Sequence, residues 1–199
     1  MASLFYIALN KKIMKKHTPK AIFLLFLCAV QYSLAQKHEF SSLLIPVELK
    51  ENANAVIRDQ STVIDVHSVG NMVVKVDRVI TVLNQLGNSS VGAYVHYDNN
   101  SKISRLSAKI YDVLGNEIKK QNKNDFIDVS AVDGSTLYSD SRIKYLSYTP
   151  TSYPYTVHLK YEYQTSSTGF LQNWNPIEGY LTSVVKNSFL VKLHGGKAR

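Results

Sequence analysis

The feature that most constrains the fold is a strict alternation of apolar and polar side chains towards the C-terminal end of the chain. The apolar positions are Tyr155, Val157, Leu159, Tyr161 and Tyr163, and the polar positions are Thr156, His158, Lys160 and Glu162. Successive side chains of a β-strand point to opposite faces of the sheet. A period of two made of aromatic and β-branched residues therefore predicts a half-buried antiparallel strand.

Shorter runs with the same period follow one another through most of the chain. They cover residues 61–69, 72–83, 91–97, 103–111, 142–148 and 184–193. Gly70 and Asn71 are typical of a tight hairpin turn because both tolerate positive φ angles, and Gly115 marks a second hairpin. Because no helical period is sustained, the pattern predicts an all-β fold, an antiparallel β-sandwich. The exception is residues 124–140, which we expect to form one long loop or a short helix.

An export signal is predicted at residues 14–35. Lysines precede an uninterrupted apolar run of ten residues, 21–30, and Ser33 and Ala35 are small enough for the cleavage pocket of a signal peptidase. We therefore expect Gln36 to be the mature N-terminus and the protein to be exported, either to the periplasm or into the medium. Residues 1–13 are interpreted as an over-extended start, with translation beginning at Met14.

Two alternatives would keep the chain at a membrane. A permanent anchor is disfavoured because a helix needs about 20 apolar residues to span a bilayer, so we expect no stable membrane span after cleavage. Lipidation at Cys28 is disfavoured because the residues before it, Phe26 and Leu27, are not small.

Removing residues 1–35 changes what the charge of the chain means. Five of the 23 basic residues and none of the 15 acidic ones lie there, so the mature 164 residues have a net charge of +3 rather than +8. The remaining positive charges are scattered, which argues against nucleic acid as a partner. The single cysteine also leaves, and the mature chain therefore has no disulfide, thiol nucleophile or thiolate metal ligand.

Several motifs occur in a fixed order over residues 54–193. The first is Asp77-Arg78-Val79-Ile80-Thr81-Val82-Leu83-Asn84 followed by Gly87-Asn88, and the later ones are residues 106–120, 125–144 and 153–163. The first motif resembles the HRVIKILNEQGN signature of the DUF3857 domain, and the order of the later motifs is similar to that of the same family.

The resemblance implies a β-sandwich of exported bacterial proteins, often from Bacteroidetes, that precedes a transglutaminase-like domain with a Cys-His-Asp triad. This chain stops where that catalytic domain would begin, and none of its residues matches the triad. We therefore expect an N-terminal tail at residues 36–53, the DUF3857-like sandwich at residues 54–193, and a ragged, truncated end at residues 194–199. The resemblance implies no enzyme activity here, no cofactor, and a transglutaminase-like or other protein domain as partner.

Acidic and hydroxyl residues in the 124–140 region lack the spacing of known sites. Asp125, Asp128, Asp133 and Asp140 offer oxygen ligands of the kind that Ca²⁺ prefers, but capping of turns by Asp side chains explains the same residues. Ser135 follows Asp133-Gly134, and the chain contains no G-x-S-x-G nucleophile motif. We predict neither a metal nor a catalytic residue in this region.

Three histidines fall on separate predicted strands, at His67, His96 and His158. None has a second histidine at the spacing of a metal motif such as H-x-H or H-E-x-x-H. We interpret them as solvent-facing or packed under a loop rather than as ligands, and we predict no metal.

The aromatic residues are the remaining candidate for a binding site. Aromatic platforms on a β-sandwich can stack on sugars or hold a peptide, although tyrosine is also a common strand residue that packs in cores. The expected recognition surface is Tyr138, Tyr145, Tyr148, Tyr153 and Trp174.

Three functional hypotheses follow. The first is a non-catalytic accessory or interaction module of an exported transglutaminase-like protein, truncated or standing alone. The alternative is a free-standing glycan- or peptide-binding β-sandwich that uses the tyrosine and tryptophan surface. An enzyme in its own right is the third, and only scattered residues support it.

Overall fold

Ten strands make up most of the part of the chain that the computed structural model describes, residues 39–131 and 140–194. They are β1 (Ala55–Ser68), β2 (Asn71–Val82), β3 (Tyr94–Tyr97), β4 (Ser101–Tyr111), β5 (Glu117–Asn122), β6 (Ile127–Ser130), β7 (Arg142–Tyr145), β8 (Tyr155–Thr165), β9 (Thr182–Val184) and β10 (Asn187–Leu193). The helical elements of the same residues are short 3-10 helices at Ser42–Leu44, Val47–Leu49, Gln85–Val91 and Lys123–Asp125.

The chain divides into two units, residues 1–39 and 40–199, and every element named above belongs to the second unit. The predicted leader, its cleavage site at Ala35 and Gln36, and the predicted end at residues 195–199 lie outside the described residues. Asp133, Gly134, Ser135 and Tyr138 lie outside them as well. No helix within residues 39–131 and 140–194 has the length and apolarity needed to cross a membrane.

The described strands form two sheets. The larger has the order β10-β1-β2-β8-β4-β5, with β9 also paired to β1, and the smaller has the order β3-β7-β6. The prediction of an all-β sandwich is confirmed. Most pairs are antiparallel, but β1 pairs with both β9 and β10 in parallel, which local periodicity cannot predict.

Three clusters of buried residues line the inner face of the large sheet in the described part of the chain. One contains Ile57, Ile80, Ile110 and Val157, each with almost no exposed area. A second joins Val95 of the small sheet to residues of β4 and β8, and this contact packs the two sheets together. The third lies under the far ends of β1 and β2. Branched side chains suit such a pleated surface, which explains their enrichment in these strands.

The hairpin predicted at Gly70 and Asn71 is confirmed. Gly70 has a φ of +77°, in the region that favours glycine, and Asn71 opens β2. The boundaries of other strands differ from the prediction. β1 begins at Ala55 rather than at residue 61, and the run at 184–193 is divided between β9 and β10.

The 124–140 region contains both a short helix and a strand. It begins with the 3-10 helix Lys123–Asp125, in line with one of the two expectations, and continues into β6, which was not predicted. The residues of β6 do alternate between apolar and polar, but a run of four exposed residues is at the shortest length at which a period of two indicates a strand.

The segment expected as an N-terminal tail packs on the outer face of the large sheet over the residues that are described. The ring of Phe40 stacks on Tyr111 at 4.2 Å and lies 5.1 Å from the ring of His158. The Thr156 hydroxyl donates to the carbonyl of Phe40 and lies 2.8 Å from the Thr81 hydroxyl. Thr156, which the alternation assigns to the polar face, is therefore buried.

Gly87 provides a test of the close contact between the 3-10 helix Gln85–Val91 and the start of β1. A Cβ atom at this position would overlap the backbone carbonyl of Asn54, whose carbon would be 2.8 Å away. We expect Gly87→Ala to lower the free energy of unfolding by about 1–3 kcal/mol, because backbone atoms have to move. Urea denaturation measures this.

Gly169→Ala is the matched control, because a Cβ there meets nothing within 4 Å. Both substitutions reduce the entropy of the unfolded chain similarly, so the comparison isolates the overlap. Equal midpoints for the two variants would contradict the contact.

Candidate functional site

A cleft of about 390 Å³ opens on the inner face of the large sheet. Its walls come from strands that are distant in sequence and from the irregular segment between β8 and β9. The lining includes Gln60, Thr62, Val76, Arg78, Tyr94, Leu159, Tyr161, residues 172–175, Glu178 and Phe189. The cleft is therefore lined by both apolar and polar side chains.

Arg78 is the charged group at the base of this cleft, and its side chain is only 6% exposed. Its Nη1 donates to Glu178 Oε1 at 2.7 Å, and its Nη2 donates to the Ser90 carbonyl at 2.9 Å. Gln60 completes the network by accepting from Arg78 and by donating to Glu178 at 2.9 Å. The buried guanidinium thus fixes the segment that contains Glu178 to β1 and β2.

The protonation states of the cleft follow from these contacts. Burial alone would raise the pKa of Glu178, but the hydrogen bond and charge of Arg78, with a further hydrogen bond from Gln60, hold it below its ordinary value of 4.5. Burial raises the pKa of Tyr161 to about 12, and the neighbouring Tyr163 adds to this effect. At neutral pH the first is a carboxylate and the second a neutral phenol.

Aromatic side chains extend from this cleft into a neighbouring one. Trp174 stacks on Phe189 with ring centroids 6.2 Å apart, and its indole nitrogen donates to Asn187 at 3.3 Å. A second cleft of about 520 Å³ shares Tyr94, Tyr161 and Gln172 with the first. The two clefts together form a surface suited to stacking and hydrogen bonding.

One known protein family matches most of the described chain. The family described as "Domain of Unknown Function with solved-structure structure (DUF3857)" matches residues 68–194. The chain belongs to the DUF3857 family. Most of β1 and the segment that packs through Phe40 precede the matched residues of the DUF3857 domain.

Curated proteins and solved structures provide a second comparison. No curated protein matches the chain. Among solved structures, the crystal structure of a "putative protease" from Parabacteroides distasonis is similar, with 19% sequence identity and a TM-score of 0.48. The similar region covers 56% of this chain and 23% of that chain.

The four predicted recognition residues of the DUF3857 domain that the structure describes do not lie on one surface. Tyr148 and Tyr153 are partly buried and pack against the core, with rings 5.4 and 5.6 Å from that of Tyr155. Tyr145 ends β7 opposite Tyr94 of β3. Trp174 lines the cleft, and Tyr138 lies outside the described residues.

The described acidic residues of the 124–140 region have separate structural partners. Asp125 accepts from the Asn122 amide at 2.7 Å, and Asp140 accepts from the Asn99 amide at 2.9 Å. Asp128 lies between Arg142, at 3.0 Å, and Lys144, at 3.1 Å. Capping and ion pairing therefore account for these three carboxylates.

The three predicted histidines lie in different environments. His158 is largely buried beneath Phe40, and its Nε2 lies 2.7 Å from Asp77 Oδ1. His96 is exposed, with its ring edge-on to Tyr94 at 5.6 Å. His67 is exposed and stacks on His194, a residue that sequence analysis did not single out, with ring centroids 5.1 Å apart.

Arg78 is not among the predicted site residues, although the alternation in β2 contains a signal for it. Alternate residues of β2 point to the core, and Arg78 stands among Val76, Ile80 and Val82 on that apolar side. A charged side chain at an apolar position of the alternation requires a partner, since burying an unpaired charge costs free energy. Its partner, Glu178, lies in an irregular segment and follows no periodic pattern.

Glu178 provides a pH test of the cleft. A carboxyl with a lowered folded-state pKa stabilises the fold above its unfolded-state pKa and loses this contribution as the pH falls through the folded-state value. We expect Glu178→Gln to be less stable than the wild type at pH 7. The gap should shrink below about pH 4.5 and then disappear. Urea denaturation across this pH range measures it.

Glu51→Gln serves as the control because Glu51 is exposed. It should leave the pH dependence of stability unchanged. A Glu178→Gln deficit that persisted unchanged in acid would show that the charge of Glu178 does not stabilise the fold.

Proposed function

We propose that the chain is a non-catalytic interaction module of an exported protein and that it docks onto a transglutaminase-like domain. The observation that carries the proposal is the segment of residues 170–181, which is anchored to the sheet by polar contacts while its large apolar side chains face solvent. Export is part of the proposal and rests on the leader at residues 14–35.

Polar contacts hold this segment at several points. Glu178 is bound by Arg78, and the Asn54 amide donates to the Leu181 carbonyl at 2.7 Å. Asn187 accepts from Trp174 and donates to the Pro176 carbonyl at 3.2 Å. The backbone is thus fixed in position by bonds that use none of its aliphatic side chains.

The large apolar side chains of the same segment are half to fully exposed. Phe170 is 85% exposed, Ile177 is 71% exposed and Tyr180 is fully exposed. Leu171, Trp174 and Leu181 are each about half exposed. Large exposed apolar patches are uncommon on soluble proteins and mark interaction surfaces. A segment with polar anchors and an apolar exterior is suited to packing against a second domain.

The edge of strand β10 that faces away from β1 is a second surface on which the same partner domain can bind. Within the described residues β10 pairs only with β1, so its other edge carries free backbone donors and acceptors. Its exposed side chains include Leu190 and Leu193. Open edges invite pairing or covering by another protein element.

The cleft supports a binding role rather than catalysis. The Arg78 guanidinium and the Glu178 carboxylate are engaged with each other, and Tyr161 is held as a neutral phenol. General acid–base catalysis favours groups that titrate near the working pH. Neither Glu178 nor Tyr161 meets that condition.

The docking test begins with the DNA downstream of the Arg199 codon, which we expect to encode a domain with Cys, His and Asp motifs. That domain and this protein would be produced separately. This protein would be recovered from the periplasm, and N-terminal sequencing should show that the mature chain begins at Gln36. Calorimetry should detect binding. Combined Phe170→Ser, Ile177→Ser and Tyr180→Ser substitutions should weaken it at least tenfold, because apolar anchors dominate interface energies.

Val69→Ser with Leu86→Ser is the matched control, since both residues are highly exposed but lie outside the segment. The control should bind as the wild type does. Absence of binding, or an equal loss in the control, would contradict the docking role.

A second candidate function, recognition of a glycan or peptide, is favoured by the aromatic lining of the two clefts. Tyr94→Ala and Trp174→Ala should each abolish retention of a ligand found by screening the purified protein on glycan and peptide arrays. Tyr180→Ala is the control, because Tyr180 does not line either cleft. No retention by the wild type, or retention unchanged in both variants, would exclude this function.

A further inference from the structure

Two strands place three potential metal ligands side by side at one end of the large sheet. β1 and β10 run parallel in a register that pairs Asp65 with Lys192 and Val66 with Leu193. Directly after β10, the His194 amide donates to the Val66 carbonyl at 3.0 Å, which holds His194 beside the end of β1. Asp65 is two residues before His67 on β1, and the β1–β2 pairing has a bulge between Val66 and Ser68.

Asp65 lies on the outer face of the large sheet. Ile64 and Val191 belong to the core cluster on the inner face, so the residues that alternate with them point the other way. Asp65 therefore points to the side of the sheet opposite the cleft at Arg78. His67 and His194 are both exposed, and their rings stack on one another.

The three side chains converge. His194 Nε2 lies 2.6 Å from Asp65 Oδ1, and the imidazole rings of His67 and His194 stack at 16° to one another. One ligand atom from each of the three residues lies within 4.8 Å of the others. Tetrahedral zinc sites place neighbouring ligand atoms roughly 3.3 Å apart, so small side-chain rotations would complete the geometry.

Asp65 is the most buried of the three ligands. Its side chain is 15% exposed, and its buried Oδ1 atom has His194 Nε2 at 2.6 Å. A buried carboxylate is stabilised by a nearby cation, and a bound metal ion would supply that charge. His194, by contrast, is 56% exposed, which leaves a path for an ion to enter.

We propose that Asp65, His67 and His194 form a binding site for a divalent transition-metal ion, with Zn²⁺ as the ion that the donor set fits. Two imidazoles and one carboxylate are a known zinc ligand set, and Ca²⁺ and Mg²⁺ prefer all-oxygen sites. Three protein ligands leave a position for water. The bound ion joins β10 to β1, and the site is independent of the proposed docking role.

The test uses the purified protein and Zn²⁺ alone. Calorimetric titration should show one more zinc bound per chain in the wild type than in His67→Ala or His194→Ala. Asp65→Asn should weaken that site at least tenfold, because loss of a charged ligand costs no less than loss of an outer-shell partner. Saturating Zn²⁺ should raise the melting temperature of the wild type, since the ion binds only the folded form, and EDTA should reverse the rise.

His96→Ala is the matched control, because His96 is an exposed strand histidine on the other sheet. It should keep the full zinc stoichiometry and the thermal shift. Circular dichroism checks that each variant is folded, and Co²⁺ loading gives a second readout through visible absorption typical of tetrahedral sites. The His67→Gln variant replaces His67→Ala if the latter does not fold.

Equal zinc stoichiometry in the wild type and the folded His67 and His194 variants would overturn the proposal. Absence of zinc binding by the wild type would also overturn it, because Asp65 and His194 would then form only an ion pair. Loss of zinc binding in these variants with retention in His96→Ala would support it.

Discussion

Eleven consecutive residue pairs join β2 to β8, from Met72 opposite Thr165 to Val82 opposite Tyr155, and the rest of the large sheet depends on this register. The pairing contains no bulge, whereas the β1–β2 and β4–β8 pairings that extend it outwards each contain shifts. A slip of one residue would turn every core side chain of a strand towards solvent. The burial of Val74, Ile80, Val157 and Leu159 therefore fixes the register on which the other strands of the large sheet are built.

The same register places one cation among these apolar residues. Arg78 lies opposite Leu159 on the buried side of the sheet, where water cannot solvate it fully. Its partners come from β1, from the 3-10 helix Gln85–Val91 and from the irregular segment before β9. Breaking a buried pair of this kind is costly, so the segment that holds Glu178 is tied to the centre of the sheet. The position of the exposed side chains around Glu178 thus depends on a core interaction.

Much of the fold could be predicted because its strands obey local rules. The alternation at residues 155–163 and the turn at Gly70 depend on neighbours in sequence, and both occur as expected. Features that depend on distant residues could not be predicted. Phe40 buries Thr156 from more than a hundred positions away, and the parallel pairing of β10 with β1 leaves no periodic trace in either strand.

The candidate site, like the fold, could be predicted only in part. Trp174 was predicted as part of a recognition surface, and it does line a cleft. The tyrosines, however, divide between core and surface according to which residues pack over them, and the sequence does not show this. Tyr148 and Tyr153 are covered, while Tyr94 is open to solvent and lines both clefts. Arg78 could have been found, since a charged residue interrupts an apolar phase. Glu178 and His194 could not, because each lies outside the strands and gains its role only through contact with residues that are distant in sequence.

The parallel pairing of β1 with β10 also has a consequence for the order in which the molecule is assembled. β1 is the first of the described strands to be synthesised and β10 the last, so the β1 edge that faces β10 remains a row of unpaired amides and carbonyls until residues 187–193 have been made. Contacts between such distant residues form late, because a long loop must close first. Of the described strands, β10 is thus the one that completes this edge, and a chain interrupted before Asn187 would leave that edge of β1 open to neighbouring molecules.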